Sequence, residues 1–114
     1  MAFGRAATNY ERASISYYHV GNSNASNSLR FGLFGASGLL NIQADGKSGL
    51  GTTSPTSRAD INGANGYSQL RLRATYTPTS SADSLGNTGD IAWDANYFYI
   101  KTAAGWKRAA LSTF

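Results

Sequence analysis

The sequence predicts an all-β protein made of short strands and frequent turns, with a three-stranded antiparallel meander at its C-terminal end. Three observations predict the β class. Apolar and polar residues alternate with a period of two in several short runs. Asp-Gly, Asn-Gly and other glycine pairs punctuate those runs. No run carries the 3.6-residue spacing of an amphipathic helix.

In chain order, residues 13–20, ASISYYHV, form the first strand pattern, with Ile15, Tyr17 and His19 opposite Tyr18 and Val20. A polar loop, GNSNASNS, follows. Residues 28–35, SLRFGLFG, alternate Leu29, Phe31 and Leu33 against Arg30, Gly32 and Phe34, which predicts a strand with one buried face. GASG then turns the chain into residues 39–44, where Leu40 and Ile42 alternate with polar neighbours. Asp45-Gly46 is a strong hairpin signal. Gly49 to Gly51 allow only a very short strand, and Pro55 is barred from an interior ladder position. RADING brings Ala59 and Ile61 to one side before Asn62-Gly63 and Asn65-Gly66 close the pattern.

Residues 67–78, YSQLRLRATYTP, are the longest strand candidate, followed by the polar loop TSSADSLGNTG. The last segment predicts strands over 90–94, 97–102 and 106–111 with short turns at 95–96 and 103–105. In that meander Tyr97, Tyr99 and Lys101 share one face, and Phe98, Ile100 and Thr102 the other.

Composition limits what such a chain can do alone. The 41% hydrophobic share contains many alanines, and 13 glycines raise the backbone entropy that folding must overcome. Without cysteine no disulfide or thiolate site staples the fold. Small domains of this kind rely on association. The net charge of +4 comes from scattered basic residues. That pattern is no nucleic-acid stripe, so no nucleic-acid partner is expected. No stretch has signal-peptide or membrane-spanning length, so no membrane insertion is expected.

Chemistry-bearing patterns are sparse. The single histidine, His19, has no nucleophile or metal-spaced partner. Asp45, Asp60, Asp83, Asp90 and Asp94 sit where turn-forming aspartates bond nearby amides. GLGTTSP lacks the Gly-Lys-Ser/Thr ending of a phosphate loop. The expectation is therefore no enzyme, no metal and no cofactor. Trp93, Tyr97, Tyr99 and Trp106 are the candidate ligand-binding residues, able to stack on sugar rings, with Lys101 and Arg108 as anion contacts. The competing reading places the same aromatics in a small meander core.

Two stretches carry a resemblance. GLGTTSPTSRADING (49–63), preceded by LNIQADGK (40–47), resembles the G-x-G-T-T-x-P segment of tailed-bacteriophage tail fibres and related trimeric fibre proteins. GDIAWDANYFYIKTAAGWKRAAL (89–111) is similar to the terminal segment of many phage fibre and virion proteins. Ser48 and Ala59 depart from the pattern, Ser48 standing where a small aliphatic is usual and Ala59 where a larger one is common. The resemblance implies that the short strands and turns form an intertwined trimeric β fibre, a homotrimer with Leu50, Ile61, Leu70 and Leu72 in its shared core, and makes the GLGTTSP stretch a joint where three chains cross. It implies an attachment segment over residues 1–27 that docks on another virion protein, a shaft segment over 28–66 and a β knob over 67–114. The function implied is a structural part of a phage virion, a short trimeric fibre or fibre tip that helps attach to the host surface, with a host saccharide as its ligand. The alternatives are a capsid decoration or fibre-cap protein, and a small carbohydrate-binding module.

Overall fold

The computed structural model describes residues 2–4 and 12–114. Every regular element among them is a β-strand, and the chain divides into two units between Arg71 and Leu72. The attachment segment expected over 1–27 lies partly outside the described residues.

The first unit is one six-stranded sheet in sequential order: β1 (Ala2–Gly4), β2 (Arg12–Tyr18), β3 (Ser28–Leu33), β4 (Ala36–Gln43), β5 (Ser48–Leu50) and β6 (Ala59–Ile61). Neighbours are antiparallel except β5 and β6, which run parallel. Local chemistry fixes the connections from β2 to β5. Between β2 and β3, buried Asn27 accepts the Val20 amide at 2.7 Å and donates to the Gly21 carbonyl at 2.8 Å. Between β4 and β5, Gly46 takes φ +84° and Asp45 accepts the Lys47 amide at 3.1 Å. That is the hairpin signalled by Asp45-Gly46.

The β3–β4 turn falls at Phe34-Gly35, not at GASG. Both residues have positive φ, 52° and 76°, the backbone that matches strand twist in a two-residue hairpin. Ala36 and Ser37 therefore already belong to β4, and a register shift between Phe31 and Leu33 absorbs the offset.

Register places a single apolar row across the sheet: Ile15 opposite Phe31, Phe31 opposite Leu40, Leu40 opposite Leu50, and Leu50 opposite Ile61. A second row runs Tyr17, Leu29, Ile42. The face expected to be buried on β3 is open within one chain. Leu29, Leu33, Ile42 and Leu50 are 40 to 57% exposed. Alternation identifies the face, but the described residues of this unit form one sheet, with no second layer to cover it.

The opposite, polar face is the covered one. Residues 51–58 cross it to return from β5 to β6. Asn41, fully buried, accepts from Arg30 Nε at 3.3 Å and donates to the Thr53 carbonyl at 3.4 Å. Pro55 is buried in this crossover. A Cβ at Gly49 would run into the Thr52 carbonyl, so the close approach requires glycine. Within one chain, GLGTTSPTSRADING is thus a parallel crossover. Its brevity is possible because a three-residue strand needs a return of only about 10 Å.

The predicted strand over 67–78 does not form. Tyr67 and Leu70 are strongly exposed, and alternation without a neighbouring ladder leaves backbone groups to water. The second unit holds β7 (Ile91–Trp93), β8 (Tyr97–Thr102) and β9 (Gly105–Ala110), an antiparallel meander as expected. Its core is Ala92, Tyr99 and Trp106, with Tyr76 and Tyr97 packed against it.

Candidate functional site

The chemistry-bearing residues converge on the inner face of the meander, beneath the irregular segment 76–87. Tyr99 and Trp106 are only 3% and 7% exposed. Tyr76 tilts against Trp106, and Tyr97 against Tyr99, each with ring centroids 5.9 Å apart. The Trp106 indole N–H donates to the Leu85 carbonyl at 3.0 Å, and its backbone amide donates to the Ser81 carbonyl at 2.9 Å. These bonds tie the segment to β9.

Two aspartates latch the arrangement. Asp83 Oδ2 accepts the Tyr76 hydroxyl at 2.6 Å and the Thr79 amide at 2.9 Å, while Oδ1 accepts the Leu85 amide at 2.9 Å. Asp94 Oδ2 accepts the Tyr99 hydroxyl at 2.5 Å and Thr77 Oγ1 at 2.8 Å, and Oδ1 accepts the Asn96 and Tyr97 amides, each at 2.8 Å. Hydrogen bonds to the charged form hold both carboxyls low. The Tyr76 hydroxyl contributes most at Asp83, and the Tyr99 hydroxyl most at Asp94, which falls to about 2. The phenols shift the other way. Tyr76 is raised chiefly by its bond to Asp83, and Tyr99 chiefly by burial and then by Asp94.

The six ligand-binding candidates separate. Tyr99, Trp106 and Arg108 line one cleft of about 300 Å³ beside Thr79, Ser80 and Ser81. The Arg108 guanidinium lies over the Tyr97 ring, 4.1 Å from its centroid. Lys101 donates to the Asp83 carbonyl and lies 5.4 Å from the Trp106 ring centre, so its charge serves the latch. Trp93 pairs with Phe98 on the outer face, away from the cleft. Of the shared-core candidates, Leu50 and Ile61 are neighbours in the first sheet, whereas Leu70 and Leu72 lie in irregular chain and are exposed.

Sequence reasoning passed over one signal. PTSRAD (55–60) and PTSSAD (78–83) are near-identical and fold alike. Asp60 Oδ2 accepts the Thr56 amide at 2.8 Å, as Asp83 Oδ2 accepts the Thr79 amide at 2.9 Å. Each is a Thr-x-x-x-Asp latch, and the second frames the cleft.

Depolymerase 1, capsule K30/K69-specific, of Klebsiella phage K5-2 is 44% identical to the chain over 61 residues, 53% of the chain and 7% of that protein. The chain therefore spans a small fraction of that relative's length. No protein-family profile matches the chain, and no solved structure does. The expectation of a non-enzyme is overturned by this likeness, because the relative is an enzyme by name. Catalytic groups are assembled from distant stretches of a chain, so one segment's motifs do not decide whether it belongs to an enzyme.

Proposed function

We propose that the chain serves in the host-attachment apparatus of a phage virion, within a capsule-degrading tail protein, and works there as a homotrimer. Its likeness to a capsule-specific phage depolymerase supports the phage setting and the capsule as target. The observation that carries the assembly is the open apolar face of the six-stranded sheet, with Leu29, Leu33, Ile42 and Leu50 about half exposed. Covering each such side chain stabilises by about 1 kcal/mol. A chain whose buried core among the described residues is only Ala92, Tyr99 and Trp106 has much to gain from that.

In this reading Leu50 and Ile61 face the equivalent sheets of two other copies, and Leu70 and Leu72 add apolar surface to the shared core. The GLGTTSP crossover, closing the polar face of its own sheet, leaves the apolar face free for neighbours. The tail-fibre resemblance supports three copies. Residues 1–27 attach the trimer to another virion protein.

Native mass spectrometry of the purified chain tests the assembly. A trimer at micromolar concentration is expected, and a monomer at that concentration overturns it. Adsorption of the purified protein to capsulated cells, compared with capsule-free cells, tests the attachment role.

A further inference from the structure

We infer that the cleft between segment 79–81 and β9 binds an acidic sugar through its carboxylate, with Arg108 as the anion contact. The inference rests on the host-attachment reading and names the residues and ligand chemistry of that contact.

The cleft's volume, about 300 Å³, is at the small end of ligand pockets and suits one or two sugar units. Its walls are unlike a stacking platform. Trp106 is buried, one side occupied by Tyr76 and the Lys101 ammonium nearby, and Tyr99 packs against Tyr97. Neither ring offers an open face to a pyranose, so ring stacking contributes little. What the cleft offers is polar: Thr79, Ser80 and Ser81, with two cations, Lys107 and Arg108, of which only Arg108 is braced by an aromatic ring.

Arg108 is held in place. Its guanidinium is stacked on Tyr97 and reaches the Tyr99 hydroxyl, which reduces the mobility it would lose on binding. Among the described residues it forms no ion pair. Asp94, which shares the Tyr99 hydroxyl with Arg108, already accepts from two hydroxyls and two amides. A planar guanidinium with a free edge selects a carboxylate by paired hydrogen bonds, and adjacent serine hydroxyls match sugar hydroxyls. A uronate carries both groups on one ring. Lys101, by contrast, is spent on the Asp83 carbonyl and takes no part.

The test is titration of the full chain with a glucuronate-containing tetrasaccharide, a hyaluronan fragment, followed by Trp fluorescence and calorimetry. Its carboxyl-reduced form serves as the neutral control. The acidic tetrasaccharide is expected to bind, and the reduced form at least tenfold more weakly. Arg108→Gln is expected to lose at least tenfold in affinity for the acidic form, while Arg108→Lys retains part of it. Equal binding of acidic and reduced forms overturns the proposal, as does undiminished binding by Arg108→Gln. No binding of the acidic form also overturns it. Complete displacement by sulfate at constant ionic strength would mark a plain anion site and overturn the sugar assignment. Oligomeric mass is read on the same samples, so a failed cleft with an intact trimer leaves the assembly reading standing, and the reverse holds too.

Discussion

Leu50 on β5 lies directly opposite Ile61 on the parallel strand β6, and the two end a row of apolar side chains that crosses five strands from Ile15. The pairing joins the two ends of the 51–58 crossover on one face, while the crossover itself covers the other. A charge placed in this row meets water in a single chain and meets hydrocarbon in an assembled one. Leu50→Asp is therefore expected to leave the strand content of the isolated chain nearly unchanged by circular dichroism. In an assembly it buries an unpaired carboxylate, costing several kcal/mol, and the expected result is monomer by native mass at concentrations where the parent chain associates. A Leu50→Asp protein that keeps its parent's mass removes this face from the interface.

Gly49 tests the crossover separately. Its neighbour in space is the Thr52 backbone, which cannot swing aside as a side chain does. Gly49→Ala is expected to destabilise the first unit by roughly 1–3 kcal/mol through overpacking. Gly66→Ala, where an added Cβ meets nothing, is expected to stay within about 0.5 kcal/mol of the parent. Denaturant midpoints of the two variants measure the contrast.

The aspartate latches predict a pH profile for the second unit. Asp94 is depressed from 3.8 to about 2 in the fold, so its contribution is complete above about pH 4 and is lost as pH falls toward 2. Asp83 acts in the same direction. Tyr76 and Tyr99 are raised from 10.0, so their contribution is complete below about pH 10 and fades as pH rises through the folded values. Thermal melts followed by Trp fluorescence should show a plateau between these limits. Asp94→Asn should lower the plateau and flatten much of the drop between pH 4 and 2. An unchanged acid limb in Asp94→Asn would remove Asp94 from the latch.

What the sequence made legible follows from how local each signal is. The meander is set by Tyr97 to Thr102 and by two tight turns, and its strands emerge within two residues of the expected bounds. Asp45-Gly46 likewise carries its hairpin in two residues. Residues 67–78 mislead because alternation reports a half-buried surface only where a partner strand exists, and this segment joins neither sheet. The Phe34-Gly35 turn escaped because a bulky residue at positive φ is rare. The cleft was half legible. Composition singles out Tyr99, Trp106 and Arg108, but register puts Trp93 on the other face, and Lys101, on the same face as Tyr99, is drawn to the Asp83 carbonyl by a contact that no local pattern signals.

The two tryptophans give the last contrast. Trp106 places its indole N–H on the Leu85 carbonyl at 3.0 Å, and its ring is core to the meander. Trp93 has a buried Nε1 with no acceptor among the described residues. Replacing each by Phe removes the N–H and part of the ring. At Trp106 this leaves the Leu85 carbonyl short of a donor and opens a small void, so a loss of about 2–4 kcal/mol is expected. At Trp93 the change relieves an unpaired polar group, which offsets the lost ring contacts, and the expected loss is under about 1 kcal/mol. Denaturant unfolding of the two variants below and above the association concentration separates the causes. A Trp93→Phe loss as large as that of Trp106→Phe, seen only in the associated protein, would place an acceptor for Trp93 on a neighbouring copy and bring the outer face of the meander into the interface.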